Sequence, residues 1–181
     1  MKRVVITWGR FNPPTIGHEK LFNKVKEVAG GDDFFIYPSH TQKVPTDPLN
    51  HQQKCDALKN MFPHYKNNIV QDSNLNTIIK VLQSLQGTYH DCVLVLGGDQ
   101  IVPFEFTRKR NGIDYTFRNF EIESAGERNP DAKGATGMSA TKMRAAAVQS
   151  DFNAFRSGIP KTVNDNDCKK FMNLIRDIML K

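Results

Sequence analysis

Gly9-Arg10-Phe11-Asn12-Pro13-Pro14-Thr15-Ile16-Gly17-His18 is the stretch from which the rest of the chain can be read. It follows an apolar run, Val4-Val5-Ile6-Thr7-Trp8, and precedes Leu21, Phe22, Val25 and Val28 at helical spacing. It therefore reads as the first strand-to-helix turn of an α/β sheet, with a helix from about Thr15 to Val28. Pro13 and Pro14 cannot donate backbone hydrogen bonds and hold the turn out of both strand and helix. Thr15 and His18 fall on one face of the first helical turn. That turn is expected to carry unpaired N–H groups and the positive end of a helix dipole, a seat for phosphate. Gly9 and Gly17 let backbone come close to a ligand, and an imidazole at His18 can donate a hydrogen bond to a phosphoryl oxygen. The plainer alternative is a Pro/Gly loop with a capping threonine and a stray histidine.

Working outward, Gly30-Gly31 ends the helix and Phe34-Phe35-Ile36-Tyr37 is a second strand, which makes a βαβ unit and a parallel sheet. Leu49 to Met61 reads as a helix stopped by Pro63, Asn68-Ile69-Val70 as a short strand, and Asn74 to Leu85 as a helix. Cys92-Val93-Leu94-Val95-Leu96 is the most continuously apolar run, a central strand buried on both faces. Residues 104 to 118 alternate aromatic and basic side chains, read as a peripheral helix and a loop; they match no RNA-binding spacing. Asn119 to Glu123 alternates with period two, a last strand. A glycine-rich polar loop over 126–137 is expected to be mobile, and Ser139 caps a helix over Ala145-Ala146-Ala147-Val148. Phe152, Phe155 and Ile159-Pro160 suggest a packing helix and turn. Asn164 or Asp165 caps a final helix whose stripe (Phe171, Met172, Leu174, Ile175, Ile178, Met179) is core or dimer contact, so a homo-oligomer stays open. The expected fold is a Rossmann-like open parallel sheet with helices on both faces and a short C-terminal helical appendage: a main domain over 1–160 and a helix over 161–181 packed on it.

The net charge of +6 suits anionic substrates such as nucleoside triphosphates, but also weak nucleic-acid attraction, so charge alone chooses nothing. Arg108-Lys109-Arg110 is short enough to be a solvated face rather than a nucleic-acid patch. No run is long and apolar enough to span a membrane and no signal-peptide pattern opens the sequence. Cys55, Cys92 and Cys168 are odd in number and lack a CxxC, which implies a reduced, cytoplasmic-type compartment. His40 and His51 have no carboxylate or cysteine to complete a ligand set, so no protein metal site is expected.

Further residues gather at the ends of the predicted strands, the edge where α/β sheets bind ligands. Lys43, in the loop after the second strand, is a candidate phosphate clamp. Gly97-Gly98-Asp99 follows the central strand: the glycines let a ligand lie on backbone while Asp99 takes a hydroxyl or amide donor, or caps the next helix. Ser139, Thr141 and Arg144 open a second helix, with Thr141 and Arg144 at the spacing of Thr15 and His18.

The first stretch resembles the TxGH (more often HxGH) signature of the nucleotidyltransferase α/β phosphodiesterase superfamily, which includes nicotinamide-mononucleotide, phosphopantetheine and small cytidylyl transferring enzymes. Gly9-Arg10-Phe11-Asn12-Pro13 is most similar to the archaeal-type nicotinamide-mononucleotide branch; Thr15 in place of the first histidine is more like the phosphopantetheine branch. Gly98-Asp99 resembles the superfamily's Leu-x-x-Gly-x-Asp element. Ser139-Ala140-Thr141-Lys142-Met143-Arg144 resembles its Ile-Ser-Ser-Thr-x-x-Arg signature, with Met138 for Ile and Ala140 for the second Ser. Where relatives carry Glu-Arg in the helix before Pro63, this chain has Gln53-Lys54. The resemblance covers roughly residues 3–160.

The resemblance implies transfer of a nucleoside monophosphate, AMP favoured, from a triphosphate to a phosphate-bearing acceptor, possibly nicotinamide mononucleotide, with release of pyrophosphate. His18, Thr15, Arg144 and Lys43 would be catalytic. Gly9, Arg10, Phe11, Asn12, Gly17, Gly97, Asp99, Ser139 and Thr141 would hold the nucleotide, with Mg²⁺ assisting. Two alternatives stand beside it: a CTP-using enzyme forming a CDP-activated alcohol or sugar, and a non-catalytic nucleotide-binding module.

Overall fold

The computed structural model describes residues 2–127 and 138–181. Most of the predicted glycine-rich loop, from 128 onward, therefore lies outside the described residues. In chain order the elements are β1 (Arg3–Gly9), α1 (His18–Ala29), β2 (Asp33–Pro38), α2 (His51–Met61), α3 (Ile78–Leu85) and β3 (Asp91–Leu96). These are followed by α4 (Ile101–Phe104), α5 (Phe106–Arg110), β4 (Asn119–Ser124), α6 (Ala140–Val148), α7 (Phe152–Ser157) and α8 (Asp165–Met179). The chain divides into two compact units: Met1–Gly9, Lys20–Ser39 and Val70–Arg128 form one; Arg10–Glu19, His40–Ile69 and Asn129–Lys181 form the other.

The first unit holds a four-stranded parallel sheet in the order β2-β1-β3-β4. Because successive side chains of a strand point to opposite faces, β1 and β3 divide their apolar residues between two layers. Val4, Ile6, Cys92, Leu94 and Leu96 pack with Val81, Leu82 and Leu85 of α3 on one face. Val5, Val93 and Val95 pack with Val25 and Ala29 of α1 on the other. The Rossmann-like sheet covered on both faces is as the apolar runs predict. Tyr115 and Phe117 of the aromatic–basic segment are buried with Phe120 of β4 in the α3-side core, so these rings are packing and not a stacking platform. Arg108 and Arg110 pair with Glu105 and Asp114 of the same surface.

Three predicted boundaries shift, each because a local hydrogen bond wins. The short strand at Asn68-Ile69-Val70 does not form: Asn68 and Ile69 N–H both turn back to the Tyr65 carbonyl (2.8 and 3.2 Å), and Val70 gives β2 one bond, to Ile36 O. α3 starts at Ile78 rather than Asn74, because Asn74 N–H bonds the Asp72 side chain while Thr77 caps the helix through Lys80 N–H. α1 starts at His18 rather than Thr15.

In the second unit α8 packs on α6 and α7, capped by Asn164, whose side chain accepts from Asp167 N–H. α2 begins with a reciprocal capping box between Asn50 and Gln53. At Gly158, after the end of α7, an added Cβ would press on the Met143 side chain of α6, which would have to shift. The Gly158 carbonyl accepts from Ile16 N–H (2.9 Å), which ties the C-terminal helices to the first signature.

Leu94 is fully buried in β3, whereas Leu174 of α8 is 37% exposed. Leu94→Ala is expected to cost about 2–5 kcal/mol through lost contacts and the cavity left behind, and Leu174→Ala under about 1 kcal/mol. Urea unfolding checks this: the midpoint should fall for Leu94→Ala with the slope unchanged. Equal shifts for both variants would contradict the assignment of β3 to the core.

Candidate active site

The first signature, from Arg10 to His18, lies in the second unit. Asn12, buried, forms a reciprocal pair with Leu49: its Nδ2 donates to Leu49 O (2.9 Å) and its Oδ1 accepts from Leu49 N–H (2.8 Å). Both ends of the Asn12 amide, predicted to hold nucleotide, are thus engaged with the Leu49 backbone, which fixes the loop. Phe11 is held at φ 44°, a left-handed conformation that costs energy for a bulky residue, and stacks edge-on to His18 at 5.0 Å.

The loop's own N–H groups are consumed internally. Thr15 N–H donates to His18 Nδ1 (2.9 Å), Gly17 N–H to Thr15 Oγ1 (3.1 Å) and His18 N–H to Thr15 O (3.0 Å), while Ile16 N–H goes to Gly158 O. This corrects the expectation of unpaired donors at this turn. It also fixes the imidazole: Nδ1 accepts, so the neutral ring carries its proton on Nε2 as a donor. The predicted nearness of Thr15 and His18 holds, through backbone rather than through helix periodicity.

A second helix start, the one predicted after Ser139, is that of α6. Ser139 caps it, its Oγ accepting from Lys142 N–H (3.1 Å), and Met143 N–H bonds Ser139 O. Among the described residues the N–H groups of Ala140 and Thr141 have no acceptor, so two donors and the helix dipole remain for a ligand. Arg144 joins the two signatures: Nη1 donates to Asn12 O (2.8 Å) and Nη2 to Thr141 Oγ1 (3.2 Å). Thr15 Oγ1 adds a long bond to Met138 O (3.4 Å).

Charge gathers in the same unit. Lys54 of α2 is fully buried, its Nζ donating to Thr41 O at 3.3 Å. Burial pulls its pKa down to about 8, with Asp47 opposing the fall and Arg10 adding to it. Burial likewise lowers Arg144, again opposed by Asp47. Asp47 is 3% exposed; its Oδ2 accepts from Thr46 Oγ1 (2.8 Å) and pairs with Arg10 Nη1 (3.6 Å). Neither Lys54 nor Asp47 stood out in the sequence. For Lys54 the signal was present: positions 54, 57, 58 and 61 form the buried stripe of α2, and a lysine on such a stripe is dehydrated. For Asp47, in a polar loop, there was none. Lys43 is tied by backbone to Asp47 (N–H to O in both directions, 2.8 and 2.7 Å), with its side chain exposed.

Gly9, Gly97 and Asp99 belong to the first unit. β1 and β3 pair as far as Ile6 with Leu94; three residues on, the two chains reach Gly9 and Gly97. Strands β2 and β3 flank β1 while the chain order reverses there, so this is the switch point at which open α/β sheets take ligands. Asp99 is exposed and caps no helix through its side chain. Cys55 Sγ lies 3.7 Å from His51 Nε2, so a cysteine does stand by that histidine; even so, among the described residues no group of three or more His, Cys, Asp or Glu could hold a metal ion.

A lysine whose folded pKa lies below its unfolded value binds its proton less tightly when folded. Stability should therefore rise with pH from about 8 toward 10.5, the range over which the unfolded chain binds the extra proton. Lys54→Met should raise stability by up to about 3 kcal/mol at neutral pH and flatten that rise. Thermal melts across this range check it; a variant less stable at neutral pH would show that the ammonium is well compensated.

The profile of the cytidylyltransferase-like family matches residues 6–146. No curated protein matches by sequence. Among solved structures, one from Vibrio parahaemolyticus assigned as a nicotinate-nucleotide adenylyltransferase superposes with TM-score 0.58 at 19% identity, over 98% of this chain and 97% of its own. The Plasmodium falciparum nicotinic acid mononucleotide adenylyltransferase complexed with NaAD superposes with TM-score 0.61 at 17% identity, over the whole of both chains, and so does its complex with APC. These likenesses agree with the sheet described above, and the match over both signatures settles the kinship: the chain belongs to the cytidylyltransferase-like family of nucleotidyltransferases.

Proposed function

We propose that the protein transfers AMP from ATP to a phosphate-bearing acceptor of the mononucleotide kind, nicotinate or nicotinamide mononucleotide, with release of pyrophosphate. The observation that carries this reading is Arg144 spanning Asn12 and Thr141, which brings His18 and the start of α6 into one cluster. The adenylyl preference rests on the neighbours named above and on Gly9-Arg10-Phe11-Asn12-Pro13.

Chemistry of this kind needs positioning and charge stabilisation more than a base. An acceptor phosphate monoester is already anionic near neutral pH. One of its oxygens attacks the α-phosphorus in line; the bond from that phosphorus to the β-bridging oxygen breaks, and pyrophosphate leaves with the electron pair. His18 Nε2–H donates to a non-bridging α-oxygen as charge develops there. The N–H groups of Ala140 and Thr141, with Arg144, hold the leaving pyrophosphate, and Lys54 and Arg10 supply further positive charge. The side chains named in this cluster are mostly cations, and among the described residues no group of three or more His, Cys, Asp or Glu could hold a metal ion. Mg²⁺ is proposed to enter bound to the triphosphate, as part of the substrate.

A second reading, cytidylyl transfer, is favoured by the family description. Pyrophosphate release measured with ATP and CTP against a panel of phosphate monoesters separates the two. Silence with every pair would leave the non-catalytic nucleotide-binding module standing.

His18→Ala should lower kcat by about 10²–10³ with triphosphate affinity nearly unchanged, because its hydrogen bond strengthens in the transition state. A wild-type rate would remove His18 from the reaction. Arg144→Ala should weaken triphosphate binding and slow turnover together while sparing monophosphate binding, since the outer phosphates are what its guanidinium is proposed to reach. Equal losses for mono- and triphosphate, read by calorimetry, would place Arg144 elsewhere on the nucleotide.

A further inference from the structure

Asp47 is the outlier of the cation cluster: a carboxylate 3% exposed beside the place proposed for phosphates, which it should repel. It is there by construction. The segment from Lys43 to Asp47 is closed by two backbone hydrogen bonds, Thr46 Oγ1 donates to its Oδ2, and Arg10 Nη1 stands 3.6 Å from the same oxygen. The Asp47 charge also opposes the lowering that burial imposes on both Lys54 and Arg144. A loop closed so tightly around one acid, among three cations, is a device for holding the cations.

We propose that Asp47 is a positioning residue for phosphate binding, the carboxylate around which Arg10, Lys54 and Arg144 are gathered before the nucleotide arrives. This rests on the functional reading above and adds a residue to it. Three cations brought together with no counter-ion repel one another, and the most dehydrated, Lys54, relieves the repulsion by losing its proton. Arg10 and Arg144 cannot do so in the accessible range. Asp47 therefore keeps Lys54 charged before phosphate binds. It gives little away once phosphate binds, because an incoming triphosphate brings more negative charge than the carboxylate it competes with.

The groups that act on Lys54 are Asp47, Cys55 and Arg10, and the Thr41 carbonyl accepts its hydrogen bond. Burial pushes the Cys55 thiol up to about 11, so it stays neutral and does not stand in for the carboxylate below that pH. Without Asp47 the charge on Lys54 has to be lost at lower pH than in the wild type.

The test is binding of inorganic pyrophosphate, and separately of ATP, by calorimetry to the full chain at about pH 6.5 and about pH 8.5. The quantity read is the ratio of Kd in Asp47→Asn to that in wild type, in which titration of the probe cancels. One pKa unit lost at Lys54 makes this ratio about tenfold at the higher pH and under about twofold at the lower. Asp47→Glu should restore a ratio near one. In a Lys54→Met background the ratio should lose its pH dependence, and that pair also serves if Asp47→Asn alone folds poorly, since it leaves no buried lysine uncompensated. A ratio equal at both pH values would make Asp47 merely structural, and tighter binding in Asp47→Asn would make it a competitor; either overturns the inference while leaving the nucleotide site in place. Failure of the wild type to bind either probe would sink the functional reading and this inference together.

Discussion

The second unit depends on one bidentate contact: the Arg144 guanidinium, donating to the Asn12 carbonyl and to the Thr141 hydroxyl. A planar fork with fixed donor directions can satisfy a loop carbonyl and a helix hydroxyl at once, which a lysine ammonium cannot do with the same geometry. Asn12 is itself locked to Leu49, so the guanidinium joins three stretches remote in sequence: the first signature, the lead into α2 and the start of α6. The Gly158 carbonyl adds α7 through Ile16. Other features of the site are arranged around that junction, and the same arginine that organises it is the one proposed to hold pyrophosphate.

Much of the fold was legible because its signals are periodic. β1 and β3 read as strands from their apolar runs, β3 as one buried on both faces, and α1 and α3 as helices since their apolar residues recur every three or four positions. What was not legible was decided by single hydrogen bonds that periodicity does not see. The Tyr65 carbonyl captured two N–H groups that a strand would have used, and the Asp72 side chain held Asn74 outside its helix. The structure brings the two signatures together through Arg144, but the direction of each bond could not be read from the sequence. The unpaired N–H groups expected at Thr15–His18 are absent because Thr15, Ile16, Gly17 and His18 bond one another and Gly158; the equivalent donors survive at α6. Lys54 was passed over because lysine on a helix is normally a solvent-facing residue, and only its place on the apolar stripe marked it otherwise.

Stability and function pull in opposite directions at this cluster. Dehydrating an ammonium is costly, and a hydrocarbon at position 54 would pack where Lys54 does without that penalty. The chain keeps the charge and sets against it a carboxylate, Asp47, and a carbonyl, that of Thr41, with the Arg10 guanidinium also acting on it. Strain at Phe11, in a conformation that bulky side chains avoid, is a second such cost borne within the signature. Costs of this kind concentrate where a protein needs a shape that folding alone would not select.

The internal saturation of the Thr15–His18 turn has a kinetic consequence. A loop whose donors already have partners does not have to be frozen when a ligand arrives, so little conformational entropy is surrendered on capture. Encounter is then governed by attraction between a polyanion and a set of pre-placed cations, the regime in which association is fast and falls steeply as ionic strength rises. Retention is proposed to rest on the N–H groups at the start of α6 and on the hydrogen bond that His18 would give. Arrival and residence are thereby assigned to different atoms, and salt should govern the first far more than the second.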